Sequence, residues 1–300
     1  MSPFLSPSNP ILFLSLLAVF FIGMMDCTRF TFVNNCGDTV WPGVLSNSGS
    51  PKLDSTGFAL AAGESRVLLA PAGWSGRFWA RTGCNFDSAG SGSCATGDCG
   101  SGQVECNGAG ATPPATLAEF SLGGADGKDF YDVSLVDGYN LPVVVVAGSG
   151  CAATGCAADL NRRCPEELRV GDGEGAACRS ACGAFGRPEF CCSGEYASPA
   201  TCHPSVYSEV FKSACPRSYS YAYDDASSIF TCTAGDFSIT FCPGSSPSQK
   251  STKGTSPQTT GQVFSWIADL ATGEARSGRM PVLLQSSLIT GTITCLLFLF

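Results

Sequence analysis

Histidine is almost missing from this chain: His203 is the only one in 300 residues. No two cysteines stand as a CxxC pair, and no N-x-S/T sequon occurs. The first two gaps argue against zinc, which wants four Cys or His ligands, commonly in close pairs. The third leaves no acceptor for N-glycosylation. A Ser-His-Asp triad would have to use His203, and nothing around "TCHPSV" offers a nucleophile. Charge is scarce as well, at 14% of residues, and its balance is acidic, with 17 Lys and Arg against 25 Asp and Glu for a net −8. Nucleic acid and anionic membrane surfaces both demand clustered Lys and Arg, so neither is an expected partner. No lysine lies near the glycine-rich stretch 90–106, "GSGSCATGDCGSGQVEC", and cysteines interrupt it, which excludes a phosphate-cradling loop. No metal and no cofactor is expected.

What the chain has in excess is cysteine, 18 in all. Residues 11–22, "ILFLSLLAVFFI", form a short apolar run of signal-peptide length, so 1–27 is expected to be removed on the way into an oxidising compartment. Residues 244–280 are a Ser/Thr/Pro-rich stalk, with small residues Ala271, Gly273, Ser277 and Gly278 near its end. The chain closes on an apolar tail, 281–300, with nothing polar behind it, the pattern of a GPI-anchor signal. Membrane attachment is expected only through that lipid. Cys27 leaves with the signal and Cys295 with the tail, so sixteen cysteines remain between Cys36 and Cys242, an even number free to pair completely.

Between these ends, "FTFVNN", "SRVLLAP", "GRFWART", "TLAEFSL", "DFYDVSLV" and "LPVVVVA" are short segments rich in β-branched and aromatic residues, separated by turn residues. They predict a mainly β sandwich or barrel. After Gly150 the texture changes, with eleven of the sixteen cysteines from Cys151 to Cys242. "CAADLNRRCPEEL", cut by Pro165, and "PSVYSEVFKSAC", with Pro204 in its first turn and Val206 and Val210 on one face, predict helices. "SIFTCTA" and "FSITFCP" return to strand. The stretch 90–106 reads as a covalently stapled loop.

That stretch resembles the thaumatin signature, Gly-x-Gly-x-Cys-x-Thr-Gly-Asp-Cys followed by a spaced Gly and Cys. "FTFVNNC", "WARTGCNFD", "PPATLAEFSL", "DVSLVDGYNLP", "CPEELRV", "FCCSG" and "FKSACPRSYSYAYDD" follow in that family's order over residues 28–243. The resemblance implies a thaumatin-like β-sandwich, a disulfide-rich and partly helical second domain at about 151–215, and a small looped third domain. It implies the pairs Cys36–Cys242, Cys84–Cys94, Cys99–Cys106, Cys151–Cys232, Cys156–Cys215, Cys164–Cys178, Cys182–Cys191 and Cys192–Cys202. It also implies an acidic cleft lined by Arg77, Glu119, Asp132, Asp137 and Asp224.

The residues themselves support part of this. In "TLAEFSL", Glu119 falls on the side opposite Ala118, Phe120 and Leu122. Strand parity leaves Arg77 and Arg81 equivalent, and Asp132 and Asp137 differ in parity unless the turn at Asp137-Gly138 re-aims the second. Facing carboxylates suit glycoside hydrolysis, with Glu119 as acid and Asp132 or Asp224 as base. They serve equally to accept hydrogen bonds from sugar hydroxyls. The expectation is a secreted, monomeric, defence-type protein with antifungal action that binds β-1,3-glucan or another neutral polysaccharide. An endo-β-1,3-glucanase and a surface receptor or inhibitor-like module are the alternatives.

Overall fold

A computed structural model describes residues 27–244 except 149 and 234. The expected signal peptide, stalk and apolar tail lie outside the described residues, save Cys27, which opens the first strand, and Gly244. Ten strands make two five-stranded sheets. The first holds β1 (Cys27–Asn34), β3 (Ser65–Pro71), β9 (Val143–Ala147), β10 (Thr154–Cys156) and β14 (Asp236–Phe241) in the order β10-β9-β14-β1-β3. The second holds β2 (Trp41–Ser46), β4 (Ser75–Arg81), β7 (Leu117–Ser121), β8 (Asp129–Ser134) and β13 (Phe230–Cys232) in the order β13-β8-β7-β4-β2. Two small ribbons complete the strands: β5 (Asn85–Phe86) with β6 (Gly92–Ser93), and β11 (Arg169–Val170) with β12 (Ala177–Cys178). β1 and β14 run parallel, and every other pairing in the two sheets is antiparallel.

Alternation explains why these segments pack as strands. In β1, Phe30, Phe32 and Asn34 point inward and are buried, and Phe78, Phe120 and Phe237 meet Phe30 from both sheets at ring-centroid distances of 4.9, 4.8 and 5.5 Å. Edge-to-face and offset rings of this kind add to plain area burial, itself worth about 1.5–3 kcal/mol for each such side chain. β2, whose Pro42 and Gly43 hide it from a propensity reading, lies at the edge of its sheet; residues 56–60 run along its outer side, where the Phe58 N–H donates to the Pro42 carbonyl and proline has no N–H to return.

The second region is built otherwise. "CAADLNRRCPEEL" is not one helix. Pro165 divides it into two 3₁₀ turns, Leu160–Arg163 and Glu166–Leu168. Short helices α1 (Ala181–Phe185) and α2 (Pro188–Cys191) precede α3 (Val206–Ala214). Pro204 stays outside α3: the cap is Ser205, whose hydroxyl accepts from the Ser208 N–H while the Ser208 hydroxyl accepts from the Ser205 N–H, a reciprocal capping box. The buried face of α3 is Ser208, Phe211 and Ala214 rather than that of Val206, which is 70% exposed. Eight disulfides join Cys36–Cys242, Cys84–Cys94, Cys99–Cys106, Cys151–Cys232, Cys156–Cys215, Cys164–Cys178, Cys182–Cys191 and Cys192–Cys202.

Candidate functional site

The outer face of the second sheet carries a row of charges at one level. Arg77 on β4 pairs in register with Glu119 on β7, and Glu119 with Asp132 on β8. Their neighbours of opposite parity, Phe78, Ala118, Phe120, Tyr131 and Val133, fill the core, so the row must face outward. Arg77 Nη2 lies 3.5 Å from Glu119 Oε1, both side chains about one-third exposed. Past the end of β8 the chain turns, with the Gly138 N–H donating to the Leu135 carbonyl at 3.0 Å. Gly138 has φ of +93°, and a Cβ there would meet the Cys178 carbonyl and Pro114 at 2.7 Å, so only glycine fits. This turn brings Asp137 beside the row despite its parity, and the charge of Asp137 acts on Glu119.

The facing wall comes from residues 218–228. Tyr219 pairs with β8 through hydrogen bonds to Val133 and Leu135, and its hydroxyl donates to Asp225 Oδ1 at 2.7 Å. Arg77, Glu119, Asp132, Asp137, Tyr219 and Asp225 line an open groove of about 400 Å³. Asp224, the acid expected in the cleft, turns away from it. Its Oδ2 lies 2.9 Å from Lys212 Nζ and accepts from the Ser220 N–H and hydroxyl at 3.0 and 2.9 Å. Asp224 therefore holds the segment that presents Tyr219 and Asp225. Adjacent aspartates are indistinguishable by residue type; the only local signal for Asp225 is that Asp224 sits closer to the partners that tie the loop down. Tyr219 gave no sequence signal at all.

Arg81 has a different fate from Arg77 because the stapled loop covers it. Asp98 in that loop accepts from the N–H groups of Cys94 and Gly100 at 2.7 and 2.6 Å, fixing its shape. The Trp79 indole donates to the Gly97 carbonyl at 2.8 Å, and the buried Arg81 guanidinium donates to the Trp41 and Val104 carbonyls at 3.0 and 2.6 Å. Burial pulls the Arg81 pKa down to about 10. The loop thus roofs one end of the outer face and leaves Arg77 at the open end.

Burial dominates the electrostatics of the row. It raises the Glu119 pKa, offset by Arg77 and reinforced by Asp137. Asp132 is pushed up further, to about 8, by burial, then by the adjacent Glu119 and more weakly by Asp225, with only Arg77 opposing. Asp132 Oδ1 is shielded from solvent and has no hydrogen-bond partner among the described residues. Two carboxylates this close share a proton more readily than they both ionise. The geometry places that proton on Asp132, because Arg77 stands against Glu119. Burial also raises the Tyr219 pKa, as does the bond to Asp225. Among the described residues no group of His, Cys, Asp or Glu is arranged to hold a metal ion.

Residues 34–243 match a family model described as Thaumatin family. The chain belongs to the thaumatin family. It is 65% identical over 228 residues to Thaumatin-like protein 1 of Arabidopsis thaliana, covering 73% of this chain and 87% of that protein. It is 57% identical over 220 residues to Pathogenesis-related protein 5 of the same plant, covering 72% and 90%. Among solved structures, a laminaripentaose-producing β-1,3-glucanase in complex with laminaritetraose superposes with TM-score 0.49 and 11% identity, over 72% of this chain and 98% of that one, a likeness too slight to bear on substrate. In this thaumatin-family chain, then, the signature loop has a structural office: it buries Arg81 and sets where the groove begins.

Proposed function

We propose that the groove binds a neutral β-1,3-glucan, in a secreted protein of the pathogenesis-related kind. The row Arg77–Glu119–Asp132 carries this reading, because it combines a cation, an ionised acid and a protonated acid within one open cleft. Sugar hydroxyls both donate and accept, and a protonated Asp132 donates where Glu119 accepts. The thaumatin-family resemblance supplies the glucan class. Glu119 and Asp132 are direct neighbours on adjacent strands, where Cβ atoms lie about 4.5–5.5 Å apart, so they stand side by side on one wall. A glycosidase needs its two carboxyls on either side of the scissile bond. That favours binding over hydrolysis.

One observation supports the hydrolytic reading: Asp132, held protonated near neutrality, suits a general acid. It would reverse the roles read from sequence, and the second carboxyl would come from the opposite wall as Asp225. Titration calorimetry with laminarin, alongside reducing-sugar release, separates the two. A binder loses affinity as pH rises past about 8, where Asp132 ceases to donate, and Asp132→Asn retains binding and removes that dependence. An enzyme releases sugar that Asp132→Asn abolishes. Wild-type protein with neither affinity nor release would sink both. The anchor expected from the tail is tested by phospholipase treatment of intact cells, which should free the protein.

A further inference from the structure

The groove does not stop at Asp137. Val136, Asp137 and Ala222 line it and also line a second cavity of about 350 Å³ in the disulfide-rich region, so the two spaces adjoin at these residues. Their walls differ in chemistry. Where the groove shows Arg77, Glu119, Asp132 and Asp225, the cavity shows Phe190, Tyr207, Phe211 and Tyr221, with His203 exposed beside them.

Two of those rings are set by covalent bonds on either side. The Phe190 and Tyr207 rings meet edge to face at 5.9 Å, with Phe185 at 5.7 and 5.3 Å from them. Cys182–Cys191 ties α1 to α2, and Cys192–Cys202 ties the end of α2 to the approach to α3. Phe185 remains 39% exposed and Tyr207 is only partly buried against the neighbouring core, so the aromatic cluster keeps an open side. A wall of preset rings loses little freedom when a ligand arrives. Pyranose rings are amphipathic: their C–H faces suit aromatic rings, while their hydroxyl rims need acceptors such as Asp137 and Glu189 at the same cavity.

We infer that this cavity is a distal subsite of the groove, receiving further sugar units of the same neutral glucan chain and setting the minimum chain length that binds well. The inference rests on the glucan reading of the groove. The two volumes, about 400 and 350 Å³, are comparable, so a chain long enough to occupy both gains contacts beyond Ala222.

The test is calorimetry on the full chain with laminaritriose and laminarihexaose. The wild type should bind the hexaose at least about tenfold more tightly, equivalent to about 1.4 kcal/mol. Ala222→Trp, which puts an indole at the junction and removes nothing from either core, should reduce that ratio to within about twofold. Tyr207→Ala should do the same by deleting the wall, with near-UV circular dichroism to confirm that it folds. Triose that binds with no advantage for hexaose, or an advantage unchanged in Ala222→Trp, overturns the subsite and leaves the groove reading intact. If neither sugar binds, the groove reading fails and takes the subsite with it.

Discussion

Among the described residues, the space between the two sheets is filled by twenty-four buried apolar side chains, and none of them is a cysteine. The neighbouring cluster under residues 151–215 has ten, of which four, Cys156, Cys164, Cys178 and Cys215, are half-cystines. The sandwich coheres by packing, with Phe30 surrounded by rings from both sheets. The second region has too little apolar volume to do so, and crosslinks restrict its unfolded chain instead. Phe211 still serves its core, but Phe190 and Tyr207 are only partly buried and can stand at a cavity wall. The groove runs where a packed wall meets a crosslinked one.

This contrast can be broken at either side. Phe78→Ala should have the largest effect, about 3–5 kcal/mol from lost transfer and a residual cavity, and should lower the urea midpoint of the whole domain. Next, Cys156→Ser with Cys215→Ser should cost about 2–5 kcal/mol. That loss should be local: amide exchange quickens over 156–215 while β1, β9 and β14 stay protected. Equal quickening in both regions would mean that they unfold as one unit and that the contrast has no thermodynamic content.

Asp132→Asn sharpens the comparison at the groove. Because the folded pKa of Asp132 is raised to about 8, the folded state holds a proton that the unfolded chain has released, and stability falls as pH climbs from about 4 toward 8. Asparagine escapes that penalty. The variant's thermal midpoint should exceed the wild type's by a margin that grows over this interval, at about 2–4 °C for each kcal/mol recovered. A margin independent of pH would remove the proton from Asp132. The smallest effect belongs to Ser205→Ala, which strips the cap from α3 and should cost about 0.5–2 kcal/mol in chemical denaturation.

The sandwich was more legible in the sequence than the site. Strands such as "SRVLLAP" and "LPVVVVA" declare themselves because β-branched residues and flanking turns act locally, and they became β3 and β9. Parity put Glu119 on the outer face, and the family resemblance put it in the cleft. Arg77 and Arg81 were inseparable by parity, since what distinguishes them is a loop that folds back over one end of β4. Asp224 and Asp225 were inseparable because the choice depends on Lys212, twelve residues upstream of Asp224 and on another element. Helical content in the second region was overread where Pro165 divides the chain, and the face of α3 was misjudged because Phe211 and Ala214 outweigh the two valines. In each case the deciding partner is remote in the chain.

β14 occupies the middle of its sheet, between β9 and β1, and the residue after its end is bonded to Cys36. A load applied at residue 244 is therefore met first by a sulfur bridge and then by two hydrogen-bonded ladders lying along the direction of pull, one parallel and one antiparallel. Such a strand has to be sheared rather than peeled. A domain tethered through that end would resist traction while its groove, on the outer face of the other sheet, stayed undistorted.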